Sequence, residues 1–201
     1  MSDTLPTVTL VRHGQTAWSL AGFHTGFTDI PLTPQGEADA RGLAARLAGS
    51  RFDAVFTSPL TRAQRTCALA GFDARATVDD DLKEWNYGDY EGKRTVEIHA
   101  LNPDWHLFRD GCPGGESLAQ ISARADRVCA RLRAVHGTVL VFSSSHLLRV
   151  LAARWLGLPV SGGALLVLDT AAISVLGYEH TLEFPVIRSW NQAAPSPAPL
   201  P

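Results

Sequence analysis

Three short runs rich in β-branched residues share one ending. "TVTLV" (7–11), "DAVFTS" (53–58) and "TVLVF" (138–142) each end in or give way at once to polar residues, and a helical pattern follows each along the chain. Strand alternating with helix implies a mostly parallel sheet, because parallel neighbours need a crossover and the crossover helix covers a face. The expected fold class is therefore α/β: a three-layer α/β/α sandwich with a mostly parallel central sheet.

The helices are legible in their spacing and caps. Thr33 and Pro34 offer an N-cap and a first-turn proline, and Ala40, Leu43, Ala44 and Leu47 recur at helical spacing up to a stop near Gly49. Pro59 is expected to open a second helix, with Ala63, Cys67 and Ala70 on one face and Arg62 in its first turn. Leu118, Ile121, Ala125, Val128, Leu132 and Val135 alternate steps of three and four, which predicts a long amphipathic helix. A further helix is expected over 147–156, and "AAISVLGY" and "PVIRSW" are later strand candidates. With no internal repeat or linker, residues 1–192 are expected to form one domain. The proline-alternating end, 193–201, is expected to be a disordered tail.

Bulk properties remove several classes of function. A formal charge of -2 over 201 residues gives no general attraction to nucleic acid or to an anionic membrane. Three cysteines, Cys67, Cys112 and Cys129, are odd in number and lack C-x-x-C spacing, so neither a disulfide framework nor a zinc site is expected. The start lacks a basic segment followed by an apolar one, and no apolar run approaches the ~20 residues that span a bilayer. A cytoplasmic, unexported chain is the expectation.

The chemistry gathers where the strands end. "RHG" (12–14), "TSPLTR" (57–62) and "SSSHLLR" (143–149) should meet at one edge of the sheet, where open α/β sheets bind ligands. Two imidazoles and three guanidiniums in one crevice repel each other unless an anion neutralises them, and planar arginine forks match phosphate oxygens. The implied ligand is a phosphate group on a small molecule, with no cofactor and no metal. Neutral His13 can attack phosphorus if a partner on its other ring nitrogen fixes the tautomer. Gly14 is expected to let the backbone approach the phosphate.

"LVRHGQTAWS", "HTGFTDIPLTPQGE", "TSPLTRAQRT" and "EWNYGDYEG", in that order, resemble the histidine phosphatase superfamily, with its phosphoglycerate mutase-like fold. The branch with sedoheptulose bisphosphatase and related small acid phosphatases is the one these motifs are most similar to. The resemblance implies that His13 is the nucleophile, that Arg12 and Arg62 clamp the phosphoryl oxygens, and that Glu84 is the general acid. It further implies phosphate or substrate contacts at Ser19, Thr25, Gly26, Tyr87 and Arg149. An acid at Glu84 needs surroundings that raise its ordinary carboxylate range.

One position departs from the pattern. The family's second catalytic histidine sits five residues before an arginine, and counting back from Arg149 reaches Ser144, with Ser145 in place of the following glycine. His146 lies two residues further on, a displacement of ~6–7 Å along an extended chain. Two outcomes stay open here. Either the loop turns at Ser144 and His146 reaches the phosphate as a catalytic group, or the Ser144 and Ser145 hydroxyls and the free N–H groups of the helix form the anion site.

The leading reading is a metal-independent phosphatase of small phosphorylated metabolites, acting through phosphohistidine at His13. A phosphoglycerate mutase is disfavoured by the short interval between Glu84 and Ser117, which leaves little room for a lid. A phosphate-binding regulator without turnover is the reading outside enzymology. An exposed edge strand could support a homodimer.

Overall fold

The computed structural model describes residues 5–193. Strand β1 (Thr7–Arg12) lies inside a six-stranded sheet that it shares with β2 (Ala54–Thr57), β3 (Ala76–Val78), β4 (Thr138–Ser143), β5 (Ile173–Tyr178) and β6 (Pro185–Gln192), in the order β3-β2-β4-β1-β5-β6. The pairs β2–β3, β2–β4 and β1–β4 are parallel, whereas β5 runs antiparallel to both β1 and β6. The sheet is thus parallel through the part that carries the polar strand ends, and antiparallel at the margin.

Alternation along β4 explains why helices cover both faces. Val139 and Val141 join a core with Ile121, Leu148, Leu151 and Trp155, while Leu140 and Phe142 join one with Leu43, Leu47, Val55 and Cys67. Successive side chains of a strand point to opposite faces, so a strand apolar at every position demands apolar cover on each side. The cover is α2 (Pro34–Leu47) and α3 (Thr61–Leu69) on one face, and α6 (Leu118–Ala134) and α7 (Ser145–Trp155) on the other. Short helices α1 (Ala17–Ala21), α4 (Thr95–Leu101) and α5 (Leu107–Asp110) fill the connections.

Two helix starts differ from expectation. The helix placed at Pro59 begins at Thr61, because Leu60 is extended and its N–H is taken by the Ser58 hydroxyl at 3.3 Å. The helix placed at 147 begins at Ser145 and ends at Trp155, so His146 lies inside its first turn. The three-residue β3 and the short helices carry too few periodic positions to be read from sequence. The proline-rich tail lies, from residue 194 onward, outside the described residues. Among those described, no helix is long and apolar enough to cross a membrane.

Candidate active site

Parallel pairing brings three polar segments side by side. Arg12 pairs with Ser143, and Thr57 with Phe142, at the carboxyl ends of β1, β4 and β2. The ladder then continues one step into the loops: His13 N–H donates to Ser143 O at 2.9 Å, and Ser58 N–H to Phe142 O at 2.9 Å. The sheet edge therefore holds "RHG", "TSP" and "SSSH" in register.

His13 is buried, and its Nδ1 is 2.8 Å from the carbonyl oxygen of Gly14. A carbonyl only accepts, so the ring proton is on Nδ1 and Nε2 keeps its lone pair. Burial first, then the charges of Arg62 and Arg12, hold the ring's pKa well below the ordinary histidine range. The imidazole is a neutral base at neutral pH. Gly14 has a different task from the one expected: a Cβ there would stand 2.4 Å from the Gly36 carbonyl oxygen, so the missing side chain admits the start of α2 rather than a phosphate. The cysteine thiols, all buried, are pushed up by that burial to about 12, which leaves little thiolate to compete as nucleophile.

The three arginines bond to main-chain carbonyls. Arg62, fully buried, donates to Thr28 O, Thr25 O and Gly26 O at 3.0, 3.1 and 2.7 Å. Arg12 donates to Leu168 O at 2.5 Å, and Arg149 to Gly163 O at 3.0 Å while its guanidinium lies 4.5 Å over the Phe108 ring. None of the three forms an ion pair among the described residues. Burial lowers the pKa of all three, with Glu84 opposing. Two of their buried atoms, Arg12 Nε and Arg62 Nε, and the Ser144 hydroxyl have no hydrogen-bond partner among the described residues.

Glu84 sits at the N-terminus of α7. Its Oε1 accepts from Leu147 N–H at 2.8 Å and Trp85 N–H at 2.9 Å, and its Oε2 from His146 N–H at 3.0 Å. The sequence reading that left these helix N–H groups free for an anion is corrected: the carboxylate occupies them. Ser144 is the N-cap residue but makes no side-chain cap bond, so the carboxylate stands in for the cap. The loop bearing Glu84 is clamped from behind by Arg124, which donates to Asp81 O, Lys83 O and Glu84 O and forms a two-bond ion pair with Glu116 at 2.6 and 2.8 Å. Glu116 in turn accepts from Asn86 N–H at 3.0 Å.

These groups open on a cavity of about 380 Å³. Of the residues expected from sequence, Arg12, His13, Ser19, Thr25, Glu84, Tyr87, Ser145, His146 and Arg149 line it. Arg62 and Ser144 are buried in its surroundings and do not line it, and Gly26 lies in the adjoining loop with its N–H committed to Glu91 at 2.8 and 3.0 Å. Ser19 spends its hydroxyl on the cap of α1, donating to Thr16 O and accepting from Thr16 N–H. Tyr87 OH lies 2.5 Å from His146 Nδ1, and burial holds that ring's pKa well below the ordinary range, with Arg149 the next cause. Sequence reasoning missed His24, Phe23, Thr95, Leu168 and Asp169, which also line the cavity. Only His24 had a visible signal, as the first residue of "HTGFTD".

Permanently charged guanidiniums around an unprotonated imidazole nitrogen, at the carboxyl edge of a parallel sheet, are the frame of a phosphate-handling α/β protein. The family model for the histidine phosphatase superfamily, branch 1, matches residues 8–193, and the chain belongs to that superfamily. It is 42% identical over 177 residues to an acid phosphatase of Mycobacterium tuberculosis, covering 85% of this chain and 86% of that protein. A sedoheptulose 1,7-bisphosphatase of Saccharomyces cerevisiae is 39% identical over 196 residues, covering 80% of this chain and 71% of the relative. A solved structure of an open reading frame of Mycobacterium tuberculosis superposes with a TM-score of 0.89 at 36% identity, over 93% of this chain and 97% of its own. With such relatives aligned over most of their length, the chain is a hydrolase of the phosphatase class, and its sandwich is phosphoglycerate mutase-like.

Proposed function

We propose that the protein hydrolyses small phosphomonoesters, sugar phosphates or bisphosphates among them, through phosphohistidine at His13 and without a metal ion. The observation that carries this is the His13 tautomer: Nδ1–H is spent on Gly14 O, so Nε2 faces its work with a free lone pair beside Arg12 and Arg62. Nε2 attacks phosphorus as the bond to the leaving oxygen breaks, and the arginines hold the equatorial oxygens, where charge stabilisation matters most. Glu84 gives the leaving alcohol its proton. Water then attacks the phosphohistidine, the Glu84 carboxylate takes the proton from that water, and inorganic phosphate departs as His13 is restored.

Ser144 and His146 divide the task of the family's second histidine in this reading. Tyr87 is buried, and its hydroxyl has one partner among the described residues, His146 Nδ1. A buried O–H that gave up this acceptor would go unsatisfied, so the tyrosine donates and His146 carries its proton on Nε2. That N–H serves the phosphoryl or bridging oxygen. Ser144 adds a buried hydroxyl just behind the lining, without a partner among the described residues, and Thr25 and Ser145 complete the polar wall. A cavity of this size suits a metabolite. Three free, buried cysteines favour a cytoplasmic setting.

The test is rapid quench with a ³²P-labelled phosphomonoester. Acid-labile label on the wild type, absent from His13→Ala together with phosphate release, is expected. No label and no loss in His13→Ala would overturn the reading. Phosphoglycerate isomerisation faster than phosphate release would replace it with a mutase, and phosphosugar binding without hydrolysis across a broad panel with a regulator.

A further inference from the structure

We infer that His24 is a specificity residue, a hydrogen-bond acceptor for a hydroxyl on the leaving alcohol, and that the substrates are polyol phosphates rather than simple alkyl or aryl phosphates. The inference rests on the phosphatase reading above and deepens it.

Two contacts fix the state of His24. Its backbone N–H and its ring Nδ1 lie 2.9 and 2.8 Å from one oxygen, the carbonyl of Lys93. That oxygen has two lone pairs and no proton, so it accepts both, and the His24 ring proton is on Nδ1. Nε2 is left with a lone pair on a ring that lines the cavity. Burial keeps this imidazole's pKa below the ordinary histidine value, so the lone pair stays unprotonated at neutral pH.

The neighbouring ring has the opposite polarity. His146 lies parallel to His24, with ring centroids 6.2 Å apart and planes 5° from parallel, and Tyr87 packs edge-on to both. His146 offers Nε2–H as a donor, by the Tyr87 argument, whereas His24 offers Nε2 as an acceptor. The guanidiniums beside them only donate: Arg12 and Arg149 read oxygens that carry charge or lone pairs, while the acceptors His13 Nε2 and Glu84 are engaged in the reaction itself. An acceptor has no use against a phosphate dianion, since neither brings a proton. It needs a donor on the ligand, and in a phosphorylated metabolite without nitrogen that donor is a hydroxyl. Thr95 and Asp169, further along the cavity lining, extend the same polar character.

The experiment compares glucitol 6-phosphate with hexyl phosphate, two esters of equal carbon number that differ in hydroxyls. The wild type should favour glucitol 6-phosphate by about tenfold or more in kcat/KM, since a site group built for a hydroxyl is left unpaired by the alkyl ester. His24→Asn keeps a donor near Lys93 O but withdraws the distal acceptor, so that preference should fall about tenfold, chiefly through KM. His24→Gln restores a distal carbonyl and should recover most of it. A purely structural role would lower both esters together and leave the ratio unmoved, which would overturn the inference. In ¹⁵N-histidine spectra the free wild type should show His24 protonated at Nδ1 and His146 at Nε2; His24 protonated at Nε2 would also overturn it. If neither ester is hydrolysed, that outcome bears on the phosphatase reading and not on the acceptor, and each ester is then a stable ligand for the same spectra. A His24 Nε2 shift with glucitol 6-phosphate and none with hexyl phosphate would still uphold the acceptor, and equal shifts would sink it.

Discussion

Glu84 accepts the backbone N–H of His146 at 3.0 Å and so caps the helix on which His146 rides. One carboxylate both closes the end of α7 and faces the cavity, so the candidate acid and the candidate donor move as a unit. A glutamine at this position must turn its amide toward one of the three N–H donors. Glu84→Gln should therefore cost about 1 kcal/mol in stability through the damaged cap, and turnover should drop about 10²-fold or more for want of a proton donor. Thermal melts and phosphate release on the same preparation separate the two effects.

Ser144 and His146 are distinguishable by substitution. The Ser144 hydroxyl is fully buried without a partner among the described residues, so Ser144→Ala should leave stability unchanged or raise it by up to ~1 kcal/mol. If the hydroxyl meets phosphate, KM rises about three- to tenfold in that variant. His146→Ala should instead lower kcat about 10²-fold, the usual worth of a positioned acid–base or donor group. Steady-state kinetics on the two variants read this directly, and a near-wild-type kcat in His146→Ala would remove it from the chemistry.

The Arg124–Glu116 pair lies behind the site, with both side chains largely buried. Removing one partner leaves the other charge buried alone, which costs about 3–5 kcal/mol. Arg124→Met should show that loss in urea unfolding and also release the carbonyls of Asp81, Lys83 and Glu84. Turnover should fall with stability still sufficient to keep the chain folded.

Acid should destabilise the fold through its histidines. His13 and His146 are held neutral by burial when folded, whereas in the unfolded chain each titrates near ~6.5. Below that value the unfolded state binds protons that the folded state does not, so stability increases with pH across this window. The loss on acidification should approach ~1.4 kcal/mol per pH unit for each such histidine. Melting temperature from pH 7.5 to 5 should fall, and His13→Gln with His146→Gln should fall less.

Much of this site is written locally. Strand ends carry "RHG", "TSPLTR" and "SSSH" to adjacent, parallel strands because strand and helix alternate, and that alternation is visible in the chain itself. The helix start at Ser145 was not legible, since its cap comes from Glu84, about sixty positions away in sequence. The Arg124 clamp is illegible for the same reason: its partners lie on two separate segments, 81–84 and Glu116, with no local pattern in common. Gly14, expected to be clearance for a ligand, is clearance for Gly36, because a glycine's empty side says nothing about what fills it.

The arginines of the cavity lean on carbonyl oxygens, and a carbonyl has neither a charge to cancel theirs nor a proton to take up when the solution turns acidic. The guanidiniums' own attraction for anions is accordingly a standing one that protonation of their direct partners does not alter. Inorganic phosphate feels that attraction as strongly as an ester does. A catalyst built this way must contend with its own product, and its rate in a phosphate-rich medium will be set by how quickly that product escapes.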